Sequence, residues 1–111
     1  MLTFPGVIRL KAVLVDEMVG FVSGDPRPSE RMGWITTIGV LPRFRRRGIA
    51  TALLLEAERL MKMPRVRLSV RRSNVEAIHL YVQHGYRQVS VWARYYAGGE
   101  DGLIFEKQLG T

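Results

Sequence analysis

Apolar and polar residues change their spacing several times along this chain, and each change marks an element. "VIRLKAVLVDEMVGFVSG" alternates partly and carries a polar turn at Asp16-Glu17, which predicts two antiparallel strands over about residues 7–15 and 18–24. A loop rich in Pro, Ser and charge, "DPRPSERMG", separates them from "WITTIGV", whose β-branched residues predict a third strand over about 33–40, ended by Pro42. The period then becomes helical. From Arg46 to Met63 apolar residues recur at 49, 53, 57 and 60, Glu58 and Lys62 stand four apart on the polar face, and Pro64 ends the run. "RVRLSV" reads as a short strand, and Ser73 with Glu76 fits a capping box opening a second helix that closes at Gly85. "YRQVSVWARYY", a turn at "AGGEDG" and "LIFEKQL" form a second hairpin. The order βββαβαββ describes an α+β protein, an α/β sandwich with a mixed, mostly antiparallel sheet.

Composition narrows the chemistry without choosing it. At 111 residues and 47% hydrophobic content, the chain is expected to be one domain with a real core. No window of about 18 apolar residues occurs and the N-terminus lacks a charged, then apolar, leader, so a cytoplasmic protein is expected. Zero cysteines exclude disulfides, thiolate metal sites and a cysteine nucleophile, and with only two histidines no metal is expected. Seventeen Lys and Arg against ten Asp and Glu give a net charge of +7, which favours an anionic ligand, nucleic acid or an acidic surface.

The densest positive charge lies in "RFRRRGIATALL", immediately before the first helix. A helix start leaves its first amides unpaired and carries roughly half a positive charge, so "RRRGIAT" offers both donors and field to a phosphate. There is no GKS or GKT of a Walker loop and no GxGxxG, and a pyrophosphate is the natural occupant. Taken alone, the arginine run reads more readily as a solvated face or a nucleic-acid patch than as a phosphate site.

"IGVLPRFRRRGIATALL" resembles motif A of the GNAT acetyltransferases, V-x-P-x-[YF]-[QR]-x-x-G-x-[GA], matching every fixed position. "LSVRRSNVEAIHLYVQHGYRQV" is similar to the family's next motif, a strand followed by N-x-x-A-[IL]-x-L-Y-x-x-x-G-[FY]. "RYYAGGEDGLIFEK" resembles the YY-x-x-GEDA ending of N-terminal protein acetyltransferases. Together they cover about residues 33–108. The resemblance implies the GNAT fold, acetyl-CoA as co-substrate, and acetyl transfer to a primary amine, foremost the α-amine of a protein or peptide N-terminus.

It also implies roles. The backbone of Ile38, Gly39 and Val40 would pair with the acetyl and pantetheine arm. Amides of Arg46, Arg47, Gly48, Ile49, Ala50 and Thr51 would wrap the pyrophosphate, with arginine side chains free for the 3′-phosphate. Asn74 would hydrogen-bond the cofactor, Tyr81 would be the general acid for the departing thiolate, and Tyr95 and Tyr96 would line the acceptor site. Each has a plainer counterpart: Asn74 as a helix cap, Tyr81 as core packing, Tyr95 and Tyr96 as ordinary strand aromatics. His79 and His84 read as surface residues and Glu100 and Asp101 as turn residues. The competing functions are a non-catalytic acyl-CoA-binding domain, a lysine or small-amine acetyltransferase, and a nucleic-acid-binding module. The last is disfavoured because the densest basic cluster coincides with the cofactor loop.

Two departures from the family qualify this. Several N-terminal acetyltransferases have "LEVR" in the strand before the second motif, its glutamate helping to deprotonate the amine; here "LSVR" places Ser69 there. An α-amine of pKa near 8 is about 1.4 kcal/mol from its neutral form at pH 7, against about 4.6 kcal/mol for a lysine, so the missing base weighs against lysine as acceptor. Only about 30 residues precede "WITT", where the family normally has a further strand and two helices. A homodimer is expected on this ground, a second copy completing the acceptor wall. A fragment of a longer enzyme, or a domain with altered chemistry, would also fit so short a start.

Overall fold

The computed structural model describes residues 6–110. Its elements follow the expected order: β1 (Ile8–Leu14), β2 (Glu17–Arg27), β3 (Met32–Val40), α1 (Ile49–Met61), β4 (Arg65–Arg71), α2 (Val75–Gln83), β5 (Arg87–Trp92) and β6 (Gly102–Gln108). The six strands form one sheet in the order β1-β2-β3-β4-β6-β5. Only β3 and β4 run parallel, joined by the crossover through α1.

Several boundaries differ from the periodic reading, for local backbone reasons. The first turn falls at Val15-Asp16, both at positive φ (47° and 65°), so Glu17 already belongs to β2. β2 runs on through Asp25-Pro26-Arg27, because Trp34 to Met32 of β3 pair with that stretch. α1 starts at Ile49 rather than Arg46, since Arg46 (φ 63°) and Gly48 (φ 78°) are left-handed. It stops at Met61, where left-handed Lys62 (φ 55°) turns the chain before Pro64. The capping box does not form: Asn74 caps α2, accepting from the Ala77 amide at 3.2 Å, while the Ser73 amide donates to Glu100 at 2.6 Å. β5 ends at Trp92, short of the expected Tyr96, and Arg94 turns at φ 54°.

The core lies between one sheet face and the two helices. Leu53, Leu54, Ala57 and Met61 of α1 and Tyr81 of α2 pack on Val22, Ile35, Val66, Leu68, Val70, Leu103 and Phe105. Helix α1 sits close on the sheet because Gly24 and Gly33 leave room for Met61; a Cβ on either would stand within 3 Å of its sulfur.

Glu58 is not on the polar face. It is 5% exposed, accepting from the Tyr86 hydroxyl at 2.7 Å and from Lys107 Nζ at 2.9 and 3.2 Å. A helical period of 3.6 cannot separate a solvent-facing glutamate from one met by a lysine of a distant strand. Among the described residues no helix is long and apolar enough to cross a membrane.

Candidate functional site

A break in the β2–β3 register builds the site. Ser23 pairs with Thr37 and Gly24 with Ile35, leaving Thr36 as the extra residue of a bulge, its hydroxyl donating to the Ser23 carbonyl at 3.2 Å. Bulges bend the strand that carries them, and here β3 parts from β4. Their parallel pairing covers only Gly33–Ile35 with Val66–Leu68, while β3 continues to Val40. The last residues of β3 therefore keep a backbone edge free of β4, and Ile38 and Val40 both turn to the helical side.

That edge is one wall of a cleft of about 630 Å³. The start of α1 is a second wall: Gly48, Ile49, Ala50 and Thr51 line it, and no side chain caps the helix. Left-handed Arg46 and Gly48 turn the loop into the helix, whose first backbone amides have no intrahelical partner and suit an anion. Helix α2 supplies the third wall, through Asn74, Ala77, Leu80 and Tyr81. Every residue expected to hold the cofactor lies on this cleft except Arg47, whose guanidinium stacks over the Phe44 ring at 5.2 Å. Arg43 also covers Phe44 and is ion-paired with Glu17. Arg45 donates to the Val40 carbonyl at 3.2 Å, and Arg46, its side chain 88% exposed, lies 3.8 Å from Glu76. The arginines thus do different work: some pin the loop, and Arg46 remains solvated at the rim.

Tyr81 reaches the cleft from the core side and is 5% exposed. Burial, with a smaller contribution from the Tyr96 phenol, pushes its hydroxyl up to about 12. It is therefore protonated at any physiological pH. Tyr86, whose ring centroid lies 5.8 Å away, is pushed far above the ordinary phenol range by burial and by its bond to Glu58.

Tyr95 and Tyr96 do not line the cleft. They belong to a chain of aromatics, Trp34–Trp92 at 5.8 Å, Trp92–Tyr95 at 5.0 Å and Tyr95–Tyr96 at 5.0 Å, around the turn after β5. Tyr95 is 53% exposed, whereas Tyr96 is half-buried, with its hydroxyl 2.8 Å from Ser69 Oγ and the Arg71 guanidinium 4.5 Å over its ring. Hydrogen bonds from Ser73 and then Arg71 hold Glu100 below the usual carboxylate range.

Asn74 lines the cleft, but its Oδ1 is already committed to capping α2. His79 is exposed on the rim. His84 is not a plain surface residue: half-buried at the end of α2, it meets the Thr51 hydroxyl at 3.2 Å and ties the two helix walls together. Phe44, inside the first motif, and Leu80, inside the second, also line the cleft, although the sequence reading gives neither a role. Their positions within the motifs are the signal that points to them. Among the described residues no three His, Asp or Glu side chains converge to hold a metal.

Known proteins resemble this chain in sequence and fold. The family described as "Acetyltransferase (GNAT) family" matches residues 5–86. An N-alpha-acetyltransferase of Sulfurisphaera tokodaii is 41% identical over 83 residues, covering 71% of this chain and 50% of that protein. The N-terminal acetyltransferase A complex catalytic subunit NAA10 of Arabidopsis thaliana is 35% identical, covering 97% of this chain and 60% of its own length. The structure of Ard1 from Thermoplasma volcanium superposes with a TM-score of 0.80 at 29% identity, over 87% of this chain and 67% of that one. The chain thus spans about half to three fifths of the curated relatives it matches. With a bulge-forked strand, an uncapped glycine-led helix start and the matched pattern all falling on the same residues, this chain belongs to the GNAT acetyltransferase family.

Proposed function

We propose that this chain catalyses acetyl transfer from acetyl-CoA to the α-amine of a protein or peptide N-terminus. The observation that carries the reading is the meeting, in one cleft, of a free strand edge, an anion-binding helix start and a buried, protonated phenol. Amides from Arg46 to Thr51 take the pyrophosphate and solvated Arg46 the outer phosphate. The backbone of Ile38, Gly39 and Val40 pairs with the pantetheine arm, which directs the thioester toward Tyr81. The Asn74 amide group, with its oxygen already accepting from Ala77, offers its N–H donors to the cofactor.

The amine nitrogen attacks the thioester carbonyl, so a C–N bond forms as the C–S bond breaks. Tyr81 gives its proton to the leaving thiolate, and the proton of the attacking nitrogen passes to solvent. Most of the acceleration comes from holding the two reactants in line. The names of the matched relatives support an α-amine acceptor, as does Ser69 standing where the resemblance leads one to expect a glutamate. A cytoplasmic setting is part of the proposal.

Two measurements test it. CoA at 100 times its dissociation constant raises the unfolding free energy by about 2.7 kcal/mol, read as a higher melting temperature. Mass spectrometry of peptides incubated with acetyl-CoA then finds the added acetyl on the α-amine. An acetyl group found only on lysine ε-amines or on small amines overturns the acceptor assignment and leaves the donor site standing.

A further inference from the structure

We propose that His84 is a positioning residue for the donor: its ring Nε2–H donates to the Thr51 hydroxyl, which turns the Thr51 proton toward the pyrophosphate of acetyl-CoA. This rests on the acetyl-CoA reading above and adds a side-chain donor to the backbone amides that open α1.

Placement makes the case first. Thr51 lies in the first turn of α1 and lines the cleft beside Gly48, Ile49 and Ala50. A threonine hydroxyl inside a helix commonly turns back to the carbonyl four residues earlier. Here it reaches across to the end of α2 and meets His84 Nε2 at 3.2 Å. His84 is the C-cap of α2, its backbone N–H shared between the Leu80 carbonyl at 3.2 Å and the Tyr81 carbonyl at 3.0 Å. Gly85 follows at φ 91° and turns the chain away, with His84 left half-buried. Gln83 lines the cleft and His84 does not, so the imidazole stands behind Thr51 and out of the ligand's path. The motif that covers α2, N-x-x-A-[IL]-x-L-Y-x-x-x-G-[FY], leaves this position open, so the resemblance assigns the histidine no role.

Chemistry then sets the direction of the bond. A hydroxyl has one hydrogen and two lone pairs, and a neutral imidazole nitrogen either gives a hydrogen or takes one. If Thr51 donated to Nε2, only its lone pairs would face the cleft, and they repel an anion. Phosphate oxygens offer lone pairs alone. A bound pyrophosphate therefore selects the opposite arrangement, with Nε2–H given to Oγ1 and the Thr51 proton given to the phosphate. The two hydrogen bonds then run in one direction, and each polarises the other. Without the imidazole, the hydroxyl is free to turn back along its own helix, away from the ligand.

The test compares two donors, acetyl-CoA and S-acetylpantetheine, which ends before the pyrophosphate, with an α-amine peptide as acceptor. His84→Leu should raise the acetyl-CoA KM about fivefold, the scale of one net hydrogen bond, while kcat stays the same because Tyr81 keeps its place on α2. The kcat/KM for S-acetylpantetheine should not move. His84→Gln, whose amide N–H can stand where Nε2–H stood, should restore the acetyl-CoA KM. In a Thr51→Val background there is no hydroxyl to orient, and His84→Leu should have no further effect. A wild-type KM in His84→Leu or additive losses in the double variant would overturn the inference while the transfer reading stands. So would an equal loss with both donors, the result expected if His84 only holds the two helices together. A wild-type protein that CoA does not stabilise and that transfers no acetyl group overturns both.

Discussion

Tyr81 combines a core position with a proton that it holds to about pH 12. Below that value it is a competent donor, so it imposes no falling limb on the pH–rate profile. The rate should rise from pH 6 to about 9 as the acceptor amine loses its proton and then level off, without a decline by pH 10. A decline between pH 8 and 10 would assign the acid to a group of ordinary pKa. Tyr81→Phe should lower kcat about a hundredfold, the scale of general acid catalysis, while the CoA dissociation constant measured by calorimetry stays put. The raised phenol also acts on stability. The unfolded chain releases this proton near pH 10 and the folded one near 12, so unfolding free energy should fall as pH rises through that window. Glu58 carries a different burden: buried, and met by both Tyr86 and Lys107, it bridges α1 to β6. Glu58→Ala strands an ammonium and a phenol and should lower unfolding free energy by about 3 kcal/mol in a denaturant titration.

At the scale of elements, two irregular features create the cleft from otherwise regular parts. The bulge at Thr36 ends the β3–β4 ladder and frees the edge from Thr36 to Val40. The left-handed pair Arg46 and Gly48 aims the start of α1 at the same space. Nothing lies within 4 Å of a Cβ added at Gly48, so Gly48→Ala adds no clash; its penalty comes from φ 78° alone. A penalty of about 1 kcal/mol is expected, and relaxing it would move the backbone amides that lead into α1. CoA affinity should therefore fall more than stability does, a split that calorimetry and melting together would reveal.

At the scale of the whole molecule, apolar surface gathers on the first hairpin, where Val13, Leu14, Val15, Met18 and Phe21 are all exposed and Val15 almost fully so. Contiguous apolar patches on a folded chain mark contacts, and we propose that two copies associate through this one. Sedimentation at micromolar concentration should give twice the monomer mass; a monomer would overturn this.

The order of elements and many of the residues that line the cleft were legible in the linear text. Alternation, helical period, Pro42 and Pro64 are local signals, and the unpaired amides of a helix start are a property of that segment alone. What the text could not carry depends on partners far apart in the chain. Glu58 is buried because Lys107 and Tyr86 come to it. Asn74 displaces Ser73 as cap because Glu100, across the turn after β5, takes the Ser73 amide. Ser69 meets Tyr96 only because β4 and β6 pair and bring the turn that precedes β6 back over the sheet. Periodicity thus predicted the elements and most of their apolar faces, and the arginine run before Gly48 marked the loop expected to meet an anion. Strand pairing alone decided where β3 leaves β4, because a one-residue bulge is a property of two strands in register and not of either one.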